Sequence, residues 1–157
     1  MQLLSFTAGG QTYAIEAAAV VEVLPAVPVR PLPHVPDYVL GVVAYRGRMI
    51  PVIDVPRRLA GEAARQRLST RLIVVEPPGE GGPLPSLLGL VVENMVATVR
   101  AEDAETVFPA MHLESARYLG KILRLRGQTI QMLVVEHLLP AGLATGQVVD
   151  VARPETP

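Results

Sequence analysis

The sequence predicts a mainly β chain folded as small barrels, and three observations carry that reading. Fifteen prolines and thirteen glycines cut the 157 residues into short pieces, and helix interiors reject both residue types. The pieces between them are rich in Val, Ile, Leu and Thr, which fit a pleated, half-buried surface. A segment also recurs approximately: residues 38–55 are echoed by 118–135, as expected of two similar structural units.

Taken in order, strands are expected at Gln2–Thr7, Thr12–Ile15, Val20–Leu24, Val39–Tyr45 and Met49–Ile53, then at Leu72–Glu76, Leu87–Val92, Val96–Arg100, Lys121–Leu125 and Thr129–Val134. Met111–Tyr118 follows Pro109, contains good helix formers and reads as a helix; Glu136–Leu139 reads as one turn stopped by Pro140. Ala14–Val23 fits either a helix or a strand–turn–strand. In the repeat, Tyr38 and Tyr118 each precede an early glycine, Gly41 and Gly120, one position out of step. Each copy then carries Arg-Gly, 46–47 and 126–127, with Ile50 or Ile130 three residues after the glycine. Both read as hairpins turning at Arg-Gly, where glycine supplies a positive φ. A fainter echo relates Ile15-Glu16…Val20…Val23 to Val92-Glu93…Val96…Val99. The expected organisation is one domain, 1–140, with a first barrel over about 14–65 and a second over about 85–140. The N-terminal strand and residues 66–84 connect or complete them, and 141–157 form a tail. The Pro- and Gly-rich stretch 77–83 is a loop by composition.

Composition excludes several function classes. The chain lacks cysteine, which removes disulfides, thiolate chemistry and cysteine zinc sites, and fits a reducing cytoplasm. Half the residues are hydrophobic but only 4% are aromatic, so the core must be aliphatic. A net charge of −1 gives no general attraction for nucleic acid or anionic lipid. The first six residues lack the basic and apolar regions of a signal peptide, and no apolar run approaches the length of a membrane helix. A soluble, cytoplasmic protein without membrane insertion is expected.

No constellation of catalytic residues emerges. His34, His112 and His137 fall in no metal-binding spacing. Ser5, Ser69, Ser86 and Ser115 occupy no nucleophile elbow, Glu102, Asp103 and Glu105 lie in a polar loop, and no phosphate-binding glycine loop is present. The expectation is no enzyme, no metal and no cofactor. The segment 57–71 sets Arg57, Arg58, Arg65, Arg67 and Arg71 against one acid, Glu62, which allows an alternative reading as a small nucleic-acid-binding barrel. It has no aromatic residue for base stacking. Arg46 sits at a hairpin tip, and Glu22 is a single acid in an apolar strand, facing with Val20 and Leu24 and away from Val21 and Val23.

Four blocks together resemble the CheW-like family of chemosensory coupling proteins. They are Val20-Val21-Glu22-Val23-Leu24-Pro25, Pro31-Leu32-Pro33-His34-Val35-Pro36, Gly41-Val42-Val43-Ala44-Tyr45-Arg46-Gly47 and Ile50-Pro51-Val52-Ile53-Asp54-Val55. The blocks 69–76, 88–93 and 118–139 extend the match through residues 2–140. The resemblance implies two SH3-like five-stranded barrels packed on a shared hydrophobic core. It also implies a non-catalytic adaptor that bridges the cytoplasmic tip of a methyl-accepting receptor to the regulatory domain of a CheA-type histidine kinase. By motif, Val20, Glu22, Arg46 and Gly47 would contribute to a receptor groove from the first barrel, with Met95 and Val96 as counterparts from the second. Such a groove would take the receptor helix by its apolar side chains within a charged rim. Departures include Glu93 where the family usually has Asp, Gln131 where an apolar residue is usual, and Ala44-Tyr45 before Arg-Gly where Asn-Leu is common. They resemble divergent adaptors of alternative chemosensory systems such as the Wsp-type pathway.

Overall fold

The computed structural model describes residues 1–78, 86–110 and 113–140, with the side chains of 95–97 excepted. Among the described residues ten strands form: β1 (Gln2–Ala8), β2 (Gln11–Glu16), β3 (Val20–Pro25), β4 (Val39–Tyr45), β5 (Arg48–Asp54), β6 (Arg71–Val75), β7 (Leu88–Arg100), β8 (Glu105–Phe108), β9 (Leu119–Leu125) and β10 (Gln128–Leu133). One six-residue helix, α1 (Val55–Ala60), follows β5. The chain is mainly β, as its Val- and Ile-rich pieces between prolines and glycines require.

The strands hydrogen-bond as two sets that meet in β7. One has the order β3-β6-β7-β5-β4, and the other runs β7-β1-β2-β10-β9-β8. The repeat is visible in the pairing. Hairpin β4–β5 places β5 parallel to the start of β7, and hairpin β9–β10 places β10 parallel to β2. Tyr38 O accepts from Asp54 N and Tyr118 O accepts from Val134 N, both at 2.8 Å. The early glycines differ because Gly41 makes a close approach. Arg30 and Val42 exchange two backbone hydrogen bonds of 2.9 Å, and a Cβ on Gly41, at φ 139°, would lie 1.8 Å from Arg30 O. The pairing does not divide the chain at one point. β1 and β2 join strands from the far end of the sequence, and β7 serves both sets.

Several elements differ from expectation. Leu87–Val92 and Val96–Arg100 belong to one thirteen-residue strand. Asn94 takes the left-handed conformation at φ 47°, and the register with β1 shifts there, so β7 bends into the second set without breaking. Helix α1 falls in a stretch for which no element was expected. Pro56 is tolerated because it lies in the first turn, the Asp54 side chain caps the helix by accepting from Arg57 N at 3.1 Å, and Gly61 ends it at φ 78°. The helix expected over Met111–Tyr118 is reduced to a 3₁₀ turn at Glu114–Ala116, because Leu119 already starts β9; residues 111 and 112 lie outside the described residues. Glu136–Leu139 is a 3₁₀ turn placed at Val135–His137. Ala14–Val23 resolves as strand, 3₁₀ turn, strand.

One apolar cluster joins both sets. Leu4, Phe6 and Ile15 come from β1 and β2; Ile53, Ile73, Leu88 and Leu90 come from the other set; Val135 and Leu138 follow β10. At the periphery the guanidinium of Arg58 stacks between the two tyrosines of the repeat, with its carbon 4.1 Å from the Tyr38 ring centre and 4.5 Å from that of Tyr118. Each such contact contributes about 0.5–2 kcal/mol, depending on how dry it is.

Candidate functional site: a hairpin tip facing an edge strand

The site begins with a two-residue turn. Tyr45 pairs with Arg48 across β4 and β5, leaving Arg46 at φ 47° and Gly47 at φ 77°. Two successive positive φ values are those of a type I′ turn, whose twist matches that of the flanking strands. The turn points Arg46 outward, with 71% of its side chain exposed, and nothing would meet a Cβ on Gly47.

Strand β3 supplies the acid. Its residues alternate between half-buried and exposed, with Val20, Glu22 and Leu24 on the inner side and Val21 and Val23 outside. Val20 packs on the central apolar cluster. Glu22 reaches the hairpin, where its Oε1 accepts from Arg46 at 2.8 Å and from the Tyr45 hydroxyl at 2.5 Å. The guanidinium carbon of Arg46 lies 5.3 Å from the Tyr45 ring centre. β3 and β4 stand at opposite ends of the first set, so this contact joins its two edges. Burial, and then the hydrogen bond to Glu22, raises the Tyr45 pKa above its ordinary 10.0. The phenol therefore keeps its proton and remains a donor.

Glu22, Arg46 and Gly47 are thus brought together, with Val20 two residues along the same strand. Met95 pairs through its backbone with Phe6 of β1, and the side chains of Met95 and Val96 lie outside the described residues. Tyr45 was noted in the sequence only as a departure from the family pattern and not as a site residue. Its signal was an aromatic residue immediately before the Arg-Gly tip, at a position whose strand parity turns it inward.

Nothing in the arginine segment supports a nucleic-acid surface. Arg57 pairs with Asp37 at 2.8 Å, Arg58 is stacked between two tyrosines, and Arg71 donates to Leu68 O and Thr70 O. Three of the five cations in that segment are therefore committed within the chain. The loop after α1 is instead held by acids: buried Asp54 accepts from Ala64 N at 2.9 Å, and Glu93 accepts from Arg65 N. Among the described residues no three of His, Asp and Glu converge as a metal site, and no helix is long and apolar enough to cross a membrane.

The CheW-like domain family matches residues 2–142. The chain is 27% identical to the chemotaxis protein CheW of Rhizobium meliloti over 143 residues, covering 89% of this chain and 88% of that protein. It is 37% identical to the chemotaxis protein CheW of Treponema pallidum over 131 residues, covering 78% and 72%. The crystal structure of the scaffolding protein TtCheW from Thermoanaerobacter tengcongensis superposes with a TM-score of 0.71 at 22% identity, covering 91% of this chain and 90% of that one; at that identity the likeness shows the fold. The chain belongs to the CheW-like domain family and is a chemosensory coupling adaptor.

Proposed function

We propose that this adaptor bridges the cytoplasmic tip of a methyl-accepting receptor to the regulatory domain of a CheA-type kinase, acting in the cytoplasm and without catalysis. The receptor helix is assigned to a groove that includes Val20, Glu22, Arg46 and Gly47, with Met95 and Val96 contributing from β7. The observation that carries the reading is the Arg46–Glu22–Tyr45 contact. Arg46 is held by Glu22, which also accepts from the Tyr45 phenol, and the apolar Val20 lies two residues along the same side of β3, which supports a charged rim beside apolar surface of the kind a helix requires. The departures at Tyr45, Glu93 and Gln131 favour an alternative chemosensory pathway of the Wsp type over the flagellar one.

Arg46→Glu tests the assignment. It reverses the exposed charge and sets it against Glu22. We expect the affinity for a purified receptor cytoplasmic fragment to fall by about 1–3 kcal/mol, with an unchanged circular dichroism spectrum. Undiminished binding by the folded variant removes Arg46 from the receptor site.

A further inference from the structure

The two arginine-tipped hairpins are joined at their open ends by a third arginine. Tyr38 stands immediately before β4 and Tyr118 immediately before β9, and each closes its hairpin by accepting from Asp54 N or Val134 N. Both rings pack against the central apolar cluster. The guanidinium of Arg58 lies between them, 4.1 Å and 4.5 Å from the two ring centres, with its Nε buried. A guanidinium is planar and stacks on aromatic faces, and here it is flanked by one ring from each copy of the repeat. Helix α1, which carries Arg58, packs on β5 and β7 and also on β1. Arg58 thus stands where the first set meets the second.

A seven-residue strand runs from each tyrosine to its Arg-Gly tip. That is a span of about 23 Å at roughly 3.3 Å per residue, so a pivot of about 5° at the base moves a tip by about 2 Å. The shared apolar core holds the two bases together, but burial of apolar surface is non-directional. A plane held between two rings is directional, and it sets an angle as well as a proximity.

We infer that Arg58 is a positioning residue: through Tyr38 and Tyr118 it fixes the angle between the two hairpins, and with it the seat of the receptor helix. The second half of this statement rests on the proposed function. There, one wall of the groove comes from β3 and the first tip, and the other from β7 beyond Asn94, where that strand pairs with β1 of the second set. Walls already set at the right angle spare the complex the cost of ordering them.

The chain has no cysteine, so Ala44→Cys with Thr129→Cys, both at exposed positions near the tips, gives one nitroxide site on each hairpin. Double electron–electron resonance then reads the distance between the hairpins in the full chain. Four further variants are compared in that background. Arg58→Ala removes the plane and the charge, whereas Arg58→Lys keeps the stem and the charge but not the plane. Tyr38→Phe keeps the ring, and Leu59→Ala removes a neighbouring contact with the same core and leaves the stack in place. One narrow distance is expected for the parent, Tyr38→Phe and Leu59→Ala. In both Arg58 variants it should widen or shift by about 2 Å or more. Without labels, both Arg58 variants should bind a receptor cytoplasmic fragment about three- to tenfold more weakly than wild type, and Leu59→Ala should bind it equally well. An unchanged distance in either folded Arg58 variant overturns the inference. So does the same widening in Leu59→Ala, which would reduce Arg58 to general stability. Altered distances with undiminished receptor binding overturn the positioning role. Altered distances in the Arg58 variants alone, with a wild type that binds no receptor fragment, support the angular claim and overturn the adaptor reading.

Discussion

A phenol and a guanidinium share one oxygen of Glu22, and the two bonds differ in kind. The Arg46 ion pair is largely solvated, with 71% and 34% of the two side chains exposed, so it contributes about 0.2–1 kcal/mol and positions the cation more than it stabilises the fold. The Tyr45 bond is half-buried and joins two strand edges. Tyr45→Phe is therefore expected to lower stability by about 1 kcal/mol in urea unfolding. It should also weaken receptor binding less than Arg46→Glu does. Asp54 is the other acid on which local structure depends. Its pKa lies above the ordinary 3.8 because burial outweighs its hydrogen bonds from Ala64 N and Arg57 N, with the charge of Glu93 adding to the rise. A raised folded pKa favours folding on the acid side. That contribution is complete below 3.8 and is lost as the pH rises through the folded value. Asp54→Asn should remove this component, so thermal midpoints of the two proteins between about pH 3 and pH 7 should differ in slope over that window. Parallel profiles would contradict the assignment.

At the scale of elements, the repeat separates what glycine does in two places. Gly41 admits the 26–31 segment against β4, and any Cβ there meets Arg30 backbone. Gly41→Ala is expected to cost about 3 kcal/mol or more, since both the clash and the φ of 139° oppose it. Gly127→Ala meets only the φ penalty in open space and should cost about 1 kcal/mol. Denaturant unfolding of the two variants checks the contrast. The hairpins were legible in the sequence because a turn needs a local signal, and Arg-Gly between apolar runs supplies one. Strand β8 was not legible. Its residues Glu105–Phe108 are all exposed, so no apolar alternation marks them, and pairing with β9 decides their conformation. Helix α1 was hidden by Pro56 and by the arginines around it, although Asp54 three residues before Arg57 was a cap signal in plain view. Of the site, Glu22 and Arg46 were each legible as unusual, an acid in an apolar strand and a cation at a tip. Their meeting was not, because it depends on how the first and last strands of a set come together.

The whole molecule is tied through β7 and one core. Leu88, Leu90 and Val92 pack with Leu4, Phe6 and Ile15 of the other set, so neither set retains its interior alone. A single calorimetric unfolding transition is expected, and Leu90→Ala should lower its midpoint as one event, at a cost of about 2–5 kcal/mol. Two separate transitions would mean that the sets fold independently. A fragment of residues 14–65 holds β3, β4 and β5 but neither β6 nor β7, so it lacks the strands that lie between β3 and β5 and should not fold. This continuity suits an adaptor, since two partners docked on different strands would share one rigid body. The most direct test of that role is a ternary assembly, in which the chain, a receptor cytoplasmic fragment and a CheA-type regulatory domain are mixed and resolved by size with mass measurement. One complex containing all three is expected, formed only when the chain is present. Mutually exclusive binding of the two partners, or no complex with either, would contradict it.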